Sequence, residues 1–174
     1  MSTSVLTRQS LQTRRGSVLE YISPTRLNCW AACPLKFKLQ YIDGIRLPTT
    51  PSLFLGKCCH RALAMFYRHR MLGVTLDADE VIHRLEESWG QMVEEEGMVF
   101  GSADDEQSVK KQAGDLVRAY IAQVPADEPR PLAVEAVMEA PLVDPETGED
   151  FGIPLVGIVD LALDGVDWPG VLGV

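Results

Sequence analysis

The sequence has 174 residues, 46% of them hydrophobic, and a formal net charge of −9. That length suits one medium-sized domain with a real core, and no stretch approaches the roughly 20 apolar residues needed to cross a bilayer. Met1 to Gly16 is polar and carries Arg8, Arg14 and Arg15 without an apolar run, so it is not a secretory signal, and a cytoplasmic location is the expectation.

In chain order, residues 1–18 read as a disordered tail and ordered structure is expected from 19 onward. Ser23 followed by Pro24 is a helix start, with Ser as N-cap and Pro at the first helical position. The spacing predicts a helix over Thr25–Tyr41 with Leu27, Trp30, Ala31, Phe37 and Tyr41 facing inward, broken near Cys33 by Pro34. A loop from Gly44 to Pro51 leads to a second helix over Ser52–Leu72, with Leu53, Gly56, His60, Leu63, Ala64 and Tyr67 as its inward stripe and Gly73 as its stop. A third helix is expected over Asp77–Glu96, capped by Asp77, with Val81, Leu85, Trp89, Met92 and Val93 inward. A fourth spans Asp104–Val124 and stops at Pro125.

The period then changes from helical to alternating. Leu132–Leu142 and Ile153–Leu163 read as strands joined by a loop over Asp144–Gly152, in which Thr147-Gly148 supplies turn chemistry. Trp168-Pro169-Gly170 reads as another turn and Val171–Val174 as the start of a third strand. The fold class is therefore α/β, with a helical part over 19–125 and a β part over 132–174.

Charge is unevenly spread. Residues 1–72 hold eleven Lys and Arg against Glu20 and Asp43, a balance of +9, while residues 73–174 hold five against twenty-three acids, a balance of −18. Such asymmetry hints at nucleic-acid contact by the basic half, or at two halves that neutralise each other. The four cysteines, Cys29, Cys33, Cys58 and Cys59, read as free thiols in a chain without an export signal.

Two residues do not suit a plain core. Asp160 lies in Val156-Gly157-Ile158-Val159-Asp160-Leu161, where alternation gives it Ile158 and Ala162 as neighbours on its own face. A carboxylate buried among them requires a cation, a metal or strong donors; an edge position or an Arg partner would be the structural alternative. His60 falls on a helix face with Gly56 four residues earlier, where the absent side chain lets a backbone or ligand approach. Taken alone, a hydrogen-bonded core role suits it as well. Glu135 and Glu139, four apart on the preceding strand, share a pleat face and reach toward Asp160 if the strands pair in register.

These residues sit in three segments that together resemble the RecB-type branch of the PD-(D/E)XK nuclease superfamily, which includes stand-alone exonucleases, the nuclease domains of AddAB-type helicase–nucleases and CRISPR-associated nucleases. Ser23-Pro24-Thr25-Arg26-Leu27 running into Cys33-Pro34-Leu35-Lys36-Phe37 resembles the family's opening helix. Leu55-Gly56 through His60 and Leu63 resembles its L-G-x-x-x-H-x-x-L helix, and Gly157-Ile158-Val159-Asp160 its G-x-x-D strand. The resemblance covers residues 20–174 and implies a restriction-endonuclease-like core with N-terminal helices followed by an incomplete mixed sheet.

The resemblance implies that His60 and Asp160 are ligands of a catalytic divalent metal, Mg²⁺ or Mn²⁺; Glu135, from its place on the preceding strand, is a further candidate metal ligand. It implies phosphodiester hydrolysis in DNA repair or recombination, alongside a helicase or a CRISPR or recombination partner. The basic Lys36, Lys38, Lys57 and Arg61 would meet DNA phosphates. In some relatives an N-terminal cysteine at the position of Cys33 binds a 4Fe–4S cluster. The family's third motif, an acid followed two residues on by lysine, does not occur: neither Asp164 nor Asp167 is followed by Lys at that spacing, and no lysine lies beyond Lys111. The expectation is a nuclease fragment lacking that motif. A catalytically inactive DNA-binding or assembly module of the same fold is the alternative, and an acidic helical interaction domain is a third reading.

Overall fold

The computed structural model of the chain describes residues 20–164. It is mixed α/β, with six α-helices and a π-helical turn followed by a two-stranded antiparallel sheet among the described residues, consistent with the restriction-endonuclease-like class. The elements are α1 (Pro24–Ala32), α2 (Pro34–Phe37), a π-helical turn (Lys38–Ile42), α3 (Pro51–Met71), α4 (Ala78–Glu87), α5 (Trp89–Glu96), α6 (Ala103–Ile121), β1 (Pro131–Val143) and β2 (Asp150–Leu163). Within the described residues two compact units emerge: a hairpin unit of 20–46 with 135–160, and a four-helix unit of 47–134 with 161–164. The tail over 1–18, the turn at Trp168-Pro169-Gly170 and the strand at Val171–Val174 lie outside the described residues.

Side-chain caps set most of the helix starts. Ser23, Thr50, Asp77 and Ser102 each accept a hydrogen bond from the backbone N–H three residues on, at 3.3, 3.3, 2.8 and 3.1 Å. Cys33 is extended, at φ −162°, and its Sγ accepts from Lys36 N at 3.4 Å, so the break expected at Pro34 is also a new helix start. The single helix expected over Asp77–Glu96 is two. Ser88 interrupts it, its hydroxyl donating back to Leu85 O at 3.0 Å, a local bond that competes with helix continuation. The helix ahead of Pro125 ends at Ile121 rather than Val124, because the residues just before a proline avoid helical geometry.

The four-helix unit holds the main core. Phe54, Cys58, Ala62 and Phe66 form the buried stripe of α3, against Val81, Leu85, Trp89 and Met92 of α4 and α5 and Ala113 and Val117 of α6. Phe54 meets the rings of Trp89 and Phe100 edge-on, with centroids 5.2 and 5.8 Å away, a favoured aromatic geometry. The Trp89 indole N–H donates to Glu106 Oε1 at 2.9 Å. The inward residues expected for α4 and α5 are those found. For α3 the second half of the expected stripe holds, with Ala64 and Tyr67 buried and Leu63 partly so, whereas Leu53, Gly56 and His60 are exposed. The larger ring of Phe54, one residue on, claims the core because it removes more apolar surface from water.

In the hairpin unit, β1 and β2 are joined by a turn in which Asp144 Oδ1 accepts from Glu146 N at 2.7 Å and Thr147 N at 3.1 Å, while Gly148 takes φ +74°. Those two N–H donors hold the Asp144 carboxyl below its ordinary range. Ile22 adds a parallel bridge to the outer edge of β2, with Ile22 N donating to Pro154 O at 2.9 Å and Val156 N to Ile22 O at 2.7 Å. α1 has no buried residue: Leu27, Trp30 and Ala31, expected inward, are exposed, and Trp30 meets the Phe37 ring edge-on.

Candidate metal and nucleic-acid site

His60 sits mid-way along α3, two residues from both Cys58 and Ala62. At about 100° per residue that spacing turns it to the side opposite the buried stripe. Its ring is therefore on an exposed face with Gly56 and Leu53, not on an apolar one. A Cβ built on Gly56 meets nothing within 4 Å, so the glycine answers no close backbone approach.

Two of the basic candidates flank His60. Lys57 pairs with Glu96, and Arg61 Nη1 lies 2.8 Å from Glu95 Oε2, which tie α3 to the end of α5. The Arg61 hydrogen bond, helped by Gln91, holds the Glu95 carboxyl below its usual range. Lys38 pairs with Asp43 at 2.7 Å. Lys36 is exposed beside Phe37. Three of the four basic candidates are thus already in ion pairs. Exposed pairs of this kind are worth about 0–1 kcal/mol, so exchange for a phosphate is cheap. Glu95 and Glu96 are the partners that sequence reasoning missed.

Asp160 lies on β2 of the hairpin unit and is exposed, as is Ile158; the buried residue of that face is Val156, four positions earlier. The expectation of a carboxylate enclosed by Ile158 and Ala162 is overturned: the face opens toward solvent along the strand, so no desolvation penalty has to be offset at Asp160. Among β1 residues, Glu135 is half-buried and Glu139 exposed. Glu135 takes φ +50°, where a non-glycine residue in a strand is rare. That conformation is a local irregularity of β1 at Glu135.

The hydrogen bonds at the two ends of the ladder give different registers for Glu135 and Asp160. Counting from Asp144 opposite Glu149 puts Glu135 opposite Ile158; counting from Arg130 opposite Asp164 puts it opposite Val159. The difference is one extra residue on β2. On the first count Asp160 is a diagonal neighbour of Glu135 on the same face, and on the second the one-residue offset puts the two on opposite faces.

Taken singly, the imidazole of His60 and the carboxylates of Asp160 and Glu135 are donor types that a divalent cation accepts. They do not by themselves make a closed site. Among the described residues no group of three or more His, Cys, Asp or Glu side chains is gathered as a metal centre. Cys29, Cys33, Cys58 and Cys59 are free thiols, with Cys58 buried and the Cys33 sulfur used as a helix cap. No helix among the described residues is long and apolar enough to cross a membrane.

A family model, that of the PD-(D/E)XK nuclease superfamily, matches residues 21–170. No curated protein and no solved structure matches the chain.

Proposed function

The chain belongs to the PD-(D/E)XK nuclease superfamily, and from that premise we propose that it is the His- and Asp-bearing part of a divalent-metal-dependent DNA nuclease of the RecB type. The observation that carries the reading is the match over residues 21–170, which spans both the α3 helix with its outward His60 and the β2 strand with its exposed Asp160. In this reading His60 and Asp160 are the metal ligands and Glu135, on the neighbouring strand, is a further acid. A histidine in the set suits Mn²⁺ as well as Mg²⁺. The bound cation supplies charge neutralisation at the scissile phosphate and lowers the pKa of a water. The residues of this chain hold and orient; Lys36, Lys38, Lys57 and Arg61 position the DNA backbone. The setting is DNA repair or recombination in the cytoplasm, with a helicase-type partner.

A second reading is an inactive DNA-binding or assembly module of the same fold. The genomic sequence that follows the Val174 codon decides between the two. An acid-x-Lys strand there supports the nuclease; a stop codon supports the module.

Titration of the 174-residue chain with Mn²⁺ by calorimetry tests the ligands. His60→Ala and Asp160→Ala are each expected to weaken binding at least tenfold without lowering the melting temperature. Equal affinity in all three proteins would overturn the assignment of the metal site.

A further inference from the structure

We propose that Glu95 and Glu96, in the last turn of α5, form an internal mask over the two cations that flank His60 on α3, so that DNA reaches Lys57 and Arg61 only by displacing them. The inference rests on the nuclease reading for its ligand and adds a restraint on that ligand's access to the same face.

The mask is built within the four-helix unit. Lys57 and Arg61 are four residues apart on α3, hence neighbours on one face about 6 Å apart along the axis. His60, three residues from Lys57, borders them. Each cation meets one acid of α5: Lys57 Nζ pairs with Glu96, and Arg61 Nη1 donates to Glu95 Oε2 at 2.8 Å. The other Glu95 oxygen accepts from Gln91 Nε2 at 2.6 Å, one turn earlier on α5. Both Glu95 oxygens are therefore engaged, and the carboxylate is held facing Arg61.

Fold stability does not account for these acids. Glu94, Glu95 and Glu96 end α5, whose last turn carries no basic residue, and the C-terminal end of a helix disfavours negative charge. The four paired side chains are 31–48% exposed, and pairs so accessible to water contribute little to folding. What the pairs do change is the charge that α3 presents: two cations become two neutral contacts. A phosphate arriving at that face meets carboxylates and must exchange for them. Its binding is weakened by the strength of the pairs and by its repulsion from the freed acids.

Replacing both acids, as Glu95→Gln with Glu96→Gln, tests the mask. Glutamine keeps the size of each side chain, and melting temperatures check that the fold is kept. Binding of a short labelled DNA duplex is measured by fluorescence anisotropy at low ionic strength in EDTA, so that neither metal nor cleavage enters. The control is Glu86→Gln with Glu87→Gln, which removes the same charge from exposed acids of α4. The α5 pair should bind DNA about fivefold more tightly than the parent, and the α4 pair should show less than half of that gain. Each single variant should carry part of the gain, so the test does not depend on the double variant folding. The gain should fade as salt rises. On a Lys57→Ala, Arg61→Ala background the α5 pair should gain no more than the α4 pair does. Unchanged affinity in the α5 pair, equal gains from the α5 and α4 pairs, or a gain that persists without Lys57 and Arg61 overturns the mask and leaves the nuclease reading standing. Absence of DNA binding in every protein, the α5 pair included, overturns the DNA-contact role of Lys57 and Arg61 together with the mask.

Discussion

Arg70 Nη1 lies 2.5 Å from Glu128 Oε2, with the two side chains only 16% and 12% exposed, and Arg70 Nη2 also donates to the Glu128 carbonyl at 3.1 Å. The other Glu128 oxygen accepts from the Tyr67 hydroxyl at 3.3 Å, and Tyr67 meets the Tyr120 hydroxyl at 3.1 Å. This network ties the segment between α6 and β1 back onto α3. Removing one partner of a largely desolvated pair strands the other. Glu128→Ala is expected to cost about 3 kcal/mol of unfolding free energy, and Glu128→Gln, which keeps an acceptor for Tyr67, less. Urea denaturation checks both; a loss below about 1 kcal/mol for Glu128→Ala, the level of an exposed pair, contradicts the assignment.

Burial in the four-helix unit also predicts an alkaline instability. Desolvation pushes the Tyr67 phenol well above its ordinary value of 10.0, with the Tyr120 hydrogen bond and the Glu128 charge adding to it. Desolvation pushes the Cys58 thiol from 9.0 to about 12, with Cys59 and Glu96 adding. Both groups hold their protons more tightly folded than unfolded. Their contribution is therefore complete below pH 9 to 10 and declines above it, as the unfolded chain ionises first. The urea midpoint should fall steadily from pH 9 to 11, less steeply in Tyr67→Phe and in Cys58→Ala. Identical slopes in parent and variants would refute the cause.

Much of the fold was readable from sequence because its signals are local. Ser23-Pro24, Asp77 and the Thr147-Gly148 turn act through bonds to residues within a few positions, and all three appear where expected. What failed depends on distant partners. Helical spacing points to Leu53 at the start of the α3 stripe, yet Phe54 takes the core position against Trp89 and Phe100, and no helical period contains that information. His60 and Asp160 were identified through motifs, while their exposure follows from which neighbouring faces are covered. The left-handed backbone at Glu135 has no sequence signal, since glutamate seldom adopts it.

The caps that fix the helix starts should be individually measurable. Asp77 accepts from Glu80 N at 2.8 Å and Ser102 from Asp105 N at 3.1 Å. Each carries acids in the following turn, Asp79 and Glu80 or Asp104, Asp105 and Glu106, which suit the positive end of the helix. Asp77→Ala and Ser102→Ala should each cost about 1 kcal/mol, and the double variant about 2, because the caps share no partner. Chemical denaturation of the three variants checks the additivity.

Glu135 separates backbone strain from side-chain function. At φ +50° any residue with a Cβ is strained by roughly 1–2 kcal/mol, and glycine is not. Glu135→Gly should therefore be about 1 kcal/mol more stable than Glu135→Ala, although both lose the same carboxylate. If Glu135 is an acid beside the Asp160 metal ligand, Mn²⁺ affinity should fall in both variants to a similar extent, uncoupled from their stabilities. Affinity that recovers in Glu135→Gly but not in Glu135→Ala would instead assign the strained backbone, and not the carboxylate, to the shape of the metal site.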